Sequence, residues 1–269
     1  MINSHIQITK AILKNFSRHH EEHREKRIYY LDLKDGEIKT GNPKKVGVKK
    51  GYYSEKLEND LSKYVESDFI TVVNKVREFA RNKKQGMILQ FSDIDKIKQF
   101  FVYSILRSPY MLKEVNKKLL SCGIVISHEN LIRTIQYDNE LRRYCIEYVN
   151  EYVVTICENK SNLNFVVPMN CFYYKIPRLI VPMNDKIMMY KPSLILMPVT
   201  PKIAIMLIHK SRRDTAYLKP KTFATFIMEK DEEVQSYNKM ALEMEKKYSN
   251  MFVVAKEKQE LEYLQKHLR

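Results

Sequence analysis

The chain has 269 residues, 44% of them hydrophobic and 29% charged, a composition that excludes wholesale disorder and supports a core without metal or disulfide staples. Its 47 basic and 32 acidic residues leave a net charge of +15, a field that gathers polyanions such as nucleic acid or an anionic membrane face and otherwise serves solubility. No apolar run approaches the ~20 residues of a membrane span, and no basic-then-apolar leader opens the chain, so the cytoplasm is the expected compartment.

In chain order, Ile8, Ile12 and Phe16 recur at helical spacing and predict a helix over residues 4–16. A charged stretch, 18–27, follows. Residues 28–33 read as a strand, Asp35-Gly36 as a hairpin turn and 37–40 as the return strand. Residues 44–53 read as a basic loop. A long amphipathic helix is predicted over 54–82 from the stripe Leu57, Leu61, Val65, Phe69 and Val76. The next helix is expected to be capped by Ser92, with Asp95 three residues on, and to stop at Ser108-Pro109. Helices over 110–121, ending near Gly123, and over 127–150 complete a helical region.

The pattern then changes. Short strands are predicted at 152–157, 165–167, 179–181, 187–190, 194–197 and 203–208, the last two flanking Pro198-Val199-Thr200-Pro201. A helix over 231–248, a strand over 251–255 and a helix over 258–267 close the chain. Segregated runs of this kind indicate an α+β fold: an N-terminal hairpin, a central helical bundle, a mainly antiparallel sheet in the second half and C-terminal helices. With no repeat and no evident linker, residues 1–269 read as one domain, with a helical lobe at about 54–150 and a sheet-rich lobe at about 151–269.

The four cysteines, Cys122, Cys145, Cys157 and Cys171, lack the C-x-x-C spacing of zinc or redox sites and are expected as reduced, packed thiols. His19 and His23, four apart, could share a metal on a helical face, but their wholly polar surroundings read as a solvated run. His5 leads into an amphipathic pattern and is the candidate proton-transfer group. Glu58 and Glu66 lie eight residues apart on the long helix, within about 80° of one another. They are either paired carboxylates for a divalent metal or base chemistry, or two solvated side chains. Arg107, at a helix end, suits a buried carboxylate or a phosphate. Basic clusters at Lys44, Lys45, Lys49, Lys50, Arg212 and Arg213, with Tyr52-Tyr53 beside one of them, suit single-stranded nucleic acid by charge and stacking. No phosphate-binding glycine motif, G-x-S-x-G or H-E-x-x-H is present, which argues against common nucleotide-dependent enzymes, α/β-hydrolases and zincin proteases.

Taken in order, several of these pieces resemble domain-of-unknown-function family 4238. They are His5-Ile6 leading to Ile12-Leu13-Lys14-Asn15-Phe16, the strand and turn at 28–36, Leu57-Glu58 with Glu66, and Arg107-Ser108-Pro109. Met197-Pro198-Val199-Thr200-Pro201-Lys202, Val234-Gln235-Ser236-Tyr237-Asn238 and the strand at 251–255 continue the match. The chain departs from the family where a proline-glutamine pair follows the histidine, and at a serine-aspartate-asparagine-proline turn of which only Asn170 remains, in Pro168-Met169-Asn170-Cys171. The resemblance implies that His5, Glu58, Glu66, Arg107, Asn170 and Asn238, with Asn15 nearby, converge as a site or as an internal hydrogen-bond network. Some members resemble accessory or effector genes of antiviral and mobile-element loci. The resulting expectation is a basic protein that acts on or binds nucleic acid, in the manner of a nuclease-like effector, with a divalent metal as the candidate cofactor. The alternatives are a non-enzymatic binding or scaffold protein whose polar cluster is structural, and a nucleotide or small-molecule effector site.

Overall fold

In a computed structural model, residues 3–5, 8–20, 23–50, 52, 54–82, 89–106, 108–137, 139–175, 194–210, 225–248 and 251–268 are described. The fold is α+β. Among the described residues, two five-stranded, mostly antiparallel sheets are packed between a helical layer and the C-terminal helices, and a third, two-stranded sheet lies in the N-terminal part.

The N-terminal part is more extended than its periodicity predicts. Residues Asn3–His5 form β1, and only Lys10–Asn15 are helical, as α1. Thr9 caps this helix by accepting from the Ile12 N–H. The charged stretch contains strands. It forms β2 (Arg18–His20) and the first half of β3 (His23–Asp32), which pair with each other. A polar strand of this kind carries no apolar alternation, which hides it from a hydrophobic pattern. The expected hairpin is present: β4 (Ile38–Gly41) pairs antiparallel with β3, through a turn in which Gly36 has φ 74°. The basic loop contains a further strand, β5 (Val48–Lys50), which pairs with β1.

The long helix is continuous but not uniform. It runs as α2 (Glu55–Leu61), a π-helical turn at Ser62–Glu66 and α3 (Ser67–Asn82). The cause lies in the apolar spacing. Leu57, Leu61, Val65 and Phe69 are separated by three successive steps of four, which in a pure α-helix would drift by about 120°. The π turn accommodates one extra residue, about 100° of phase, and all four side chains stay buried.

Helix α4 (Phe91–Leu106) begins one residue before the expected cap. Asp93 does the capping: its buried carboxylate accepts from the Gln90 N–H at 3.0 Å and pairs with Lys75 of α3 at 2.7 Å. Phe69 and Phe100 stack between the two helices at 3.8 Å. Helix α5 (Pro109–Ser121) ends at Gly123, where the Ile124 N–H bonds back to the Leu119 carbonyl. Cys122, in this exposed turn, is solvent-facing rather than packed; Cys145, Cys157 and Cys171 are buried, and none of the four forms a disulfide. Burial pushes the Cys145 and Cys157 thiols up to about 12. The predicted helix over 127–150 is two helices, α6 (His128–Tyr137) and α7 (Asn139–Asn150).

The second half contains β6 (Tyr152–Asn159), β7 (Val167–Pro168), β8 (Tyr173–Lys175), β9 (Leu194–Thr200), β10 (Ile203–His209) and β11 (Thr225–Met228). Helix α8 (Asp231–Tyr248), β12 (Phe252–Ala255) and helix α9 (Lys258–Gln265) follow. The strands expected at 179–181 and 187–190 lie outside the described residues. One sheet has the order β11-β6-β10-β9-β8, antiparallel except for β11 against β6. In the other, β12 lies between β3 and β7, and so joins the two ends of the chain.

The apolar runs of β9 and β10 are continuous because both faces of their sheet are covered. Leu194, Leu196, Ala204, Met206 and Ile208 pack with Val234, Ala241 and Leu242 of α8. Ile195, Met197, Ile205 and Leu207 share a second core with Phe69, Phe100 and Phe101 of the helical layer. Pro198 is tolerated within β9 because β8 pairs only as far as Leu196, leaving no strand among the described residues on that side to require the missing N–H. A register shift at Ile203/Ala204 ends the β9–β10 hairpin. The hairpin's turn projects toward α1, the first half of β3 and the β12–α9 junction.

Candidate phosphate-binding cleft

The residues singled out in the sequence separate into several groups. Glu58 lies on α2, and Glu66 is the last residue of the π turn, both half-buried. Because the turn removes about 100° of phase, the two lie along one line of the helix, about 12 Å apart along its axis. His5 lies in β1 opposite Val48, and its side chain is outside the description. Arg107, Arg212 and Arg213 lie outside the described residues. Among the described residues no group of three or more His, Cys, Asp or Glu is placed to hold a metal ion.

Lys44 and Lys45 sit in the turn after β4, and Lys49 and Lys50 in β5, all four exposed. Tyr52 does not offer an exposed ring beside them. It is buried, with the Lys49 ammonium over its face at 5.4 Å, and burial pushes its hydroxyl above the ordinary tyrosine range. Tyr53 lies outside the described residues.

Asn238 and Asn170 are both buried, with different surroundings. The Asn238 Oδ1 accepts from the Val166 N–H at 3.0 Å, and its Nδ2 donates to the Asn164 carbonyl at 2.8 Å. Asn164 in turn donates to Glu260 at 2.8 Å. Asn238 therefore holds the segment between β6 and β7 onto α8 and α9. The Oδ1 of Asn170 has no partner among the described residues, and the next residue, Cys171, has φ 67°.

Asn15 lies elsewhere, at the rim of a cleft of about 360 Å³. Its Nδ2 donates to the Val199 carbonyl at 2.8 Å, which docks α1 on β9. The cleft is lined by Lys14, Asn15 and Ser17 from the end of α1, Lys26 from β3, and Arg77 from α3. Thr200, Lys202 and Ile203 from the β9–β10 turn and Lys256 from the β12–α9 junction complete it. Among the described residues, five cations and no carboxylate line this space. Among the described residues, Lys14, Lys26, Arg77 and Lys256 have no acidic partner. Neighbouring charges are paired away from it: Arg18 is bound to Glu257, and Lys75 to Asp93.

Lys202 is the structural member of the set. Its ammonium donates to the carbonyls of Ser161, Asn162 and Leu163 at 2.7, 3.2 and 2.6 Å, and so fixes the β9–β10 turn to the segment that Asn238 and Asp231 anchor. The Asp231 carboxylate accepts from the Asn162 N–H at 2.8 Å. Burial holds Lys202 below the ordinary lysine range, against the pull of Glu260 and Asp231. The turn Thr200–Lys202, part of the stretch that carries the family resemblance, thus forms one wall of a cation-rich site. Lys14 lies within the Ile12–Phe16 motif without being singled out by it, and Lys26, Arg77 and Lys256 carry no motif in the sequence. They come from separate elements and gather only in the fold.

Such a lining can hold a phosphate or phosphodiester by charge-assisted hydrogen bonds. Its volume falls in the range of about 300–1,000 Å³ usual for small-molecule sites.

No curated protein and no solved structure was found to match the chain. Residues 7–258 match the protein-family model described as protein of unknown function (DUF4238), a match that runs from the strand-flanked α1 through the start of α9. The chain belongs to that family.

Proposed function

We propose that the protein binds nucleic acid through its phosphate backbone at the cleft between α1, α3 and the β9–β10 turn. The observation that carries this reading is the concentration of Lys14, Lys26, Arg77, Lys202 and Lys256 around one space without a lining carboxylate. The net charge of +15 supports it by drawing a polyanion toward the surface. Asn15, Ser17 and Thr200 add neutral hydrogen-bonding groups at the rim. Cations and neutral polar groups supply binding. Cleavage would need His5, Glu58, Glu66 and Arg107 to act on the bound strand, so a nuclease-like role in antiviral defence rests on the family resemblance and not on this lining.

The test is fluorescence anisotropy with labelled single-stranded RNA and DNA, titrated between about 50 and 200 mM salt, with and without magnesium. Gel analysis of the same samples reports cleavage. Four cations without acidic partners predict a slope of log K against log salt near −3 for a single strand, at about −0.7 per phosphate. Lys14→Glu with Lys256→Glu should reduce that slope by about half, while circular dichroism shows an intact fold. Salt-insensitive binding, or a slope unchanged in the double variant, would overturn the assignment.

A further inference from the structure

The turn between α5 and α6 carries apolar side chains that the core does not use. Leu119 and Ile126 pack against the helical core. Between them Leu120, Ile124 and Val125 are 51%, 49% and 87% exposed, and Ser121, Cys122 and Gly123 are exposed with them. The backbone of the turn is fixed. The Gly123 and Ile124 N–H groups donate to the Leu120 and Leu119 carbonyls at 3.0 and 2.9 Å, a helix-ending pair of bonds that needs the left-handed φ of 75° at Gly123. A Cβ placed on Gly123 would meet no atom within 4 Å. The tip is therefore convex and apolar, and stands clear of the rest of the chain.

The surface behind the tip is cationic. Lys113, Lys117 and Leu120 follow one another by steps of four and three, along one line of α5, and both lysines are exposed. At a rise of about 1.5 Å per residue, their backbones lie about 10 and 5 Å behind Leu120 along the helix. Arg133 is exposed on α6, about 8 Å from the start of that helix. Residues 109–134 hold four basic and two acidic residues.

A protein partner matches this surface poorly. A stable interface takes about 800 Å² and roughly 20–30 residues from each side, and three side chains on a convex turn fall far short of that. A bilayer accepts a convex apolar tip without a complementary shape. Apolar side chains of interfacial segments sink about 5–10 Å into the boundary of headgroups and acyl chains, while lysine and arginine keep their charged ends at headgroup level. The α5–α6 turn has this layering, with aliphatic side chains at the tip and cations one to two helical turns behind. We infer that the turn is a peripheral membrane contact, which inserts Leu120, Ile124 and Val125 into an anionic bilayer and sets Lys113, Lys117 and Arg133 against its headgroups. None of these residues lines the phosphate cleft, so the inference does not rest on nucleic-acid binding there.

The chain contains no tryptophan, so Val125→Trp places a single reporter at the tip. Its emission is recorded with vesicles of phosphatidylcholine alone and with an equimolar mixture of phosphatidylcholine and phosphatidylglycerol. Co-sedimentation with the same vesicles measures the partition of the wild-type chain, of Leu120→Ser with Val125→Ser, and of Lys113→Glu with Lys117→Glu, while circular dichroism checks that each variant is folded. The mixed vesicles should bind the wild-type chain and shift the reporter's emission to the blue, and pure phosphatidylcholine should bind it more weakly. The serine pair should weaken partition into the mixed vesicles by about tenfold or more through lost apolar burial, and the glutamate pair by about as much through lost attraction. Charge alone also draws a basic chain to anionic vesicles. Binding that the serine pair leaves unchanged, with no blue shift of the reporter, would identify that adsorption and overturn the tip contact. Absence of binding to the mixed vesicles would overturn it as well. So would self-association of the wild-type chain, read by sedimentation velocity, that the serine pair abolishes while vesicle binding is unaffected, since the tip would then contact a second copy.

Discussion

Replacing Asn238 by alanine distinguishes a polar network that builds the fold from a cluster that performs chemistry. Asn238 is 3% exposed on α8, and its amide satisfies two backbone groups of the segment before β7, the Val166 N–H and the Asn164 carbonyl. Alanine removes both partners at once, and neither group gains access to water, because Val166 is fully buried and Asn164 nearly so. An orphaned buried donor or acceptor costs about 1–3 kcal/mol, so Asn238→Ala should destabilise the protein by about 2–6 kcal/mol, a large part of the roughly 5–15 kcal/mol that holds a typical domain together. Asn238→Asp should fall between, since it keeps the acceptor for Val166 but faces the Asn164 carbonyl with a second oxygen. Urea unfolding followed by circular dichroism measures the loss, and nucleic-acid binding is compared where both variants remain folded. A loss of stability below about 1 kcal/mol, or full stability with abolished function, would refute the structural role.

Two further outcomes follow from the local geometry. Deleting Ser62, which is exposed in the π turn, should convert that turn to α-helix while Leu57, Leu61, Val65 and Phe69 stay on one face, with a stability change within about 1 kcal/mol. Deleting the exposed Thr71 from the regular α3 should instead rotate Val72, Val73 and Val76 off the buried face by about 100° and abolish cooperative unfolding by circular dichroism. For Glu260, burial raises the carboxyl above its ordinary value of 4.5, while the hydrogen bond from Asn164 opposes that shift. A raised folded-state pKa contributes stability that is present below the unfolded value and is lost as pH rises through the folded one. The stability of the wild-type chain relative to Glu260→Gln should therefore fall as pH rises from about 4 to 7, read as urea midpoints; a difference that grows with pH would contradict the burial argument.

Where side chains meet a core, the fold is legible in the sequence. Helix α8 is bounded as predicted at Asp231 and Tyr248, because an acidic first turn, a basic last turn and an internal apolar face agree. The paired runs of β9 and β10 are legible for a related reason: burial on both faces removes polar alternation and leaves two unbroken apolar segments. Strands that gain their order from hydrogen bonding at an edge are not legible. The first half of β3 is polar, β8 has three residues and β11 pairs, among the described residues, with β6 alone, so none of them carries a periodic signature. The π turn was present in the spacing as three consecutive steps of four. A pattern that accepts threes and fours alike does not register how the drift accumulates.

The same distinction governs the site. A residue read alone declares itself only through rarity or spacing, and so histidine, two glutamates eight apart and runs of lysine stand out in the sequence. Lys14, Lys26, Arg77 and Lys256 have neither property: Lys26, Arg77 and Lys256 each adjoin a glutamate in the sequence, Lys14 is the exposed position of a short apolar pattern, and singly each reads as solvated. What sets them apart is the absence of an acidic partner among the described residues once Arg18 has taken Glu257 and Lys75 has taken Asp93, a property of pairs that no single position encodes. The turn at Thr200–Lys202 links the two kinds of information. Its prolines and flanking apolar runs identify it in the sequence, and its lysine spends its charge on three carbonyls to place the wall against which the unpaired cations gather. Weakening that anchor, for example through the Asn238 network that holds the same segment, should therefore loosen the cleft without removing any residue that lines it, so that affinity for a strand declines together with stability.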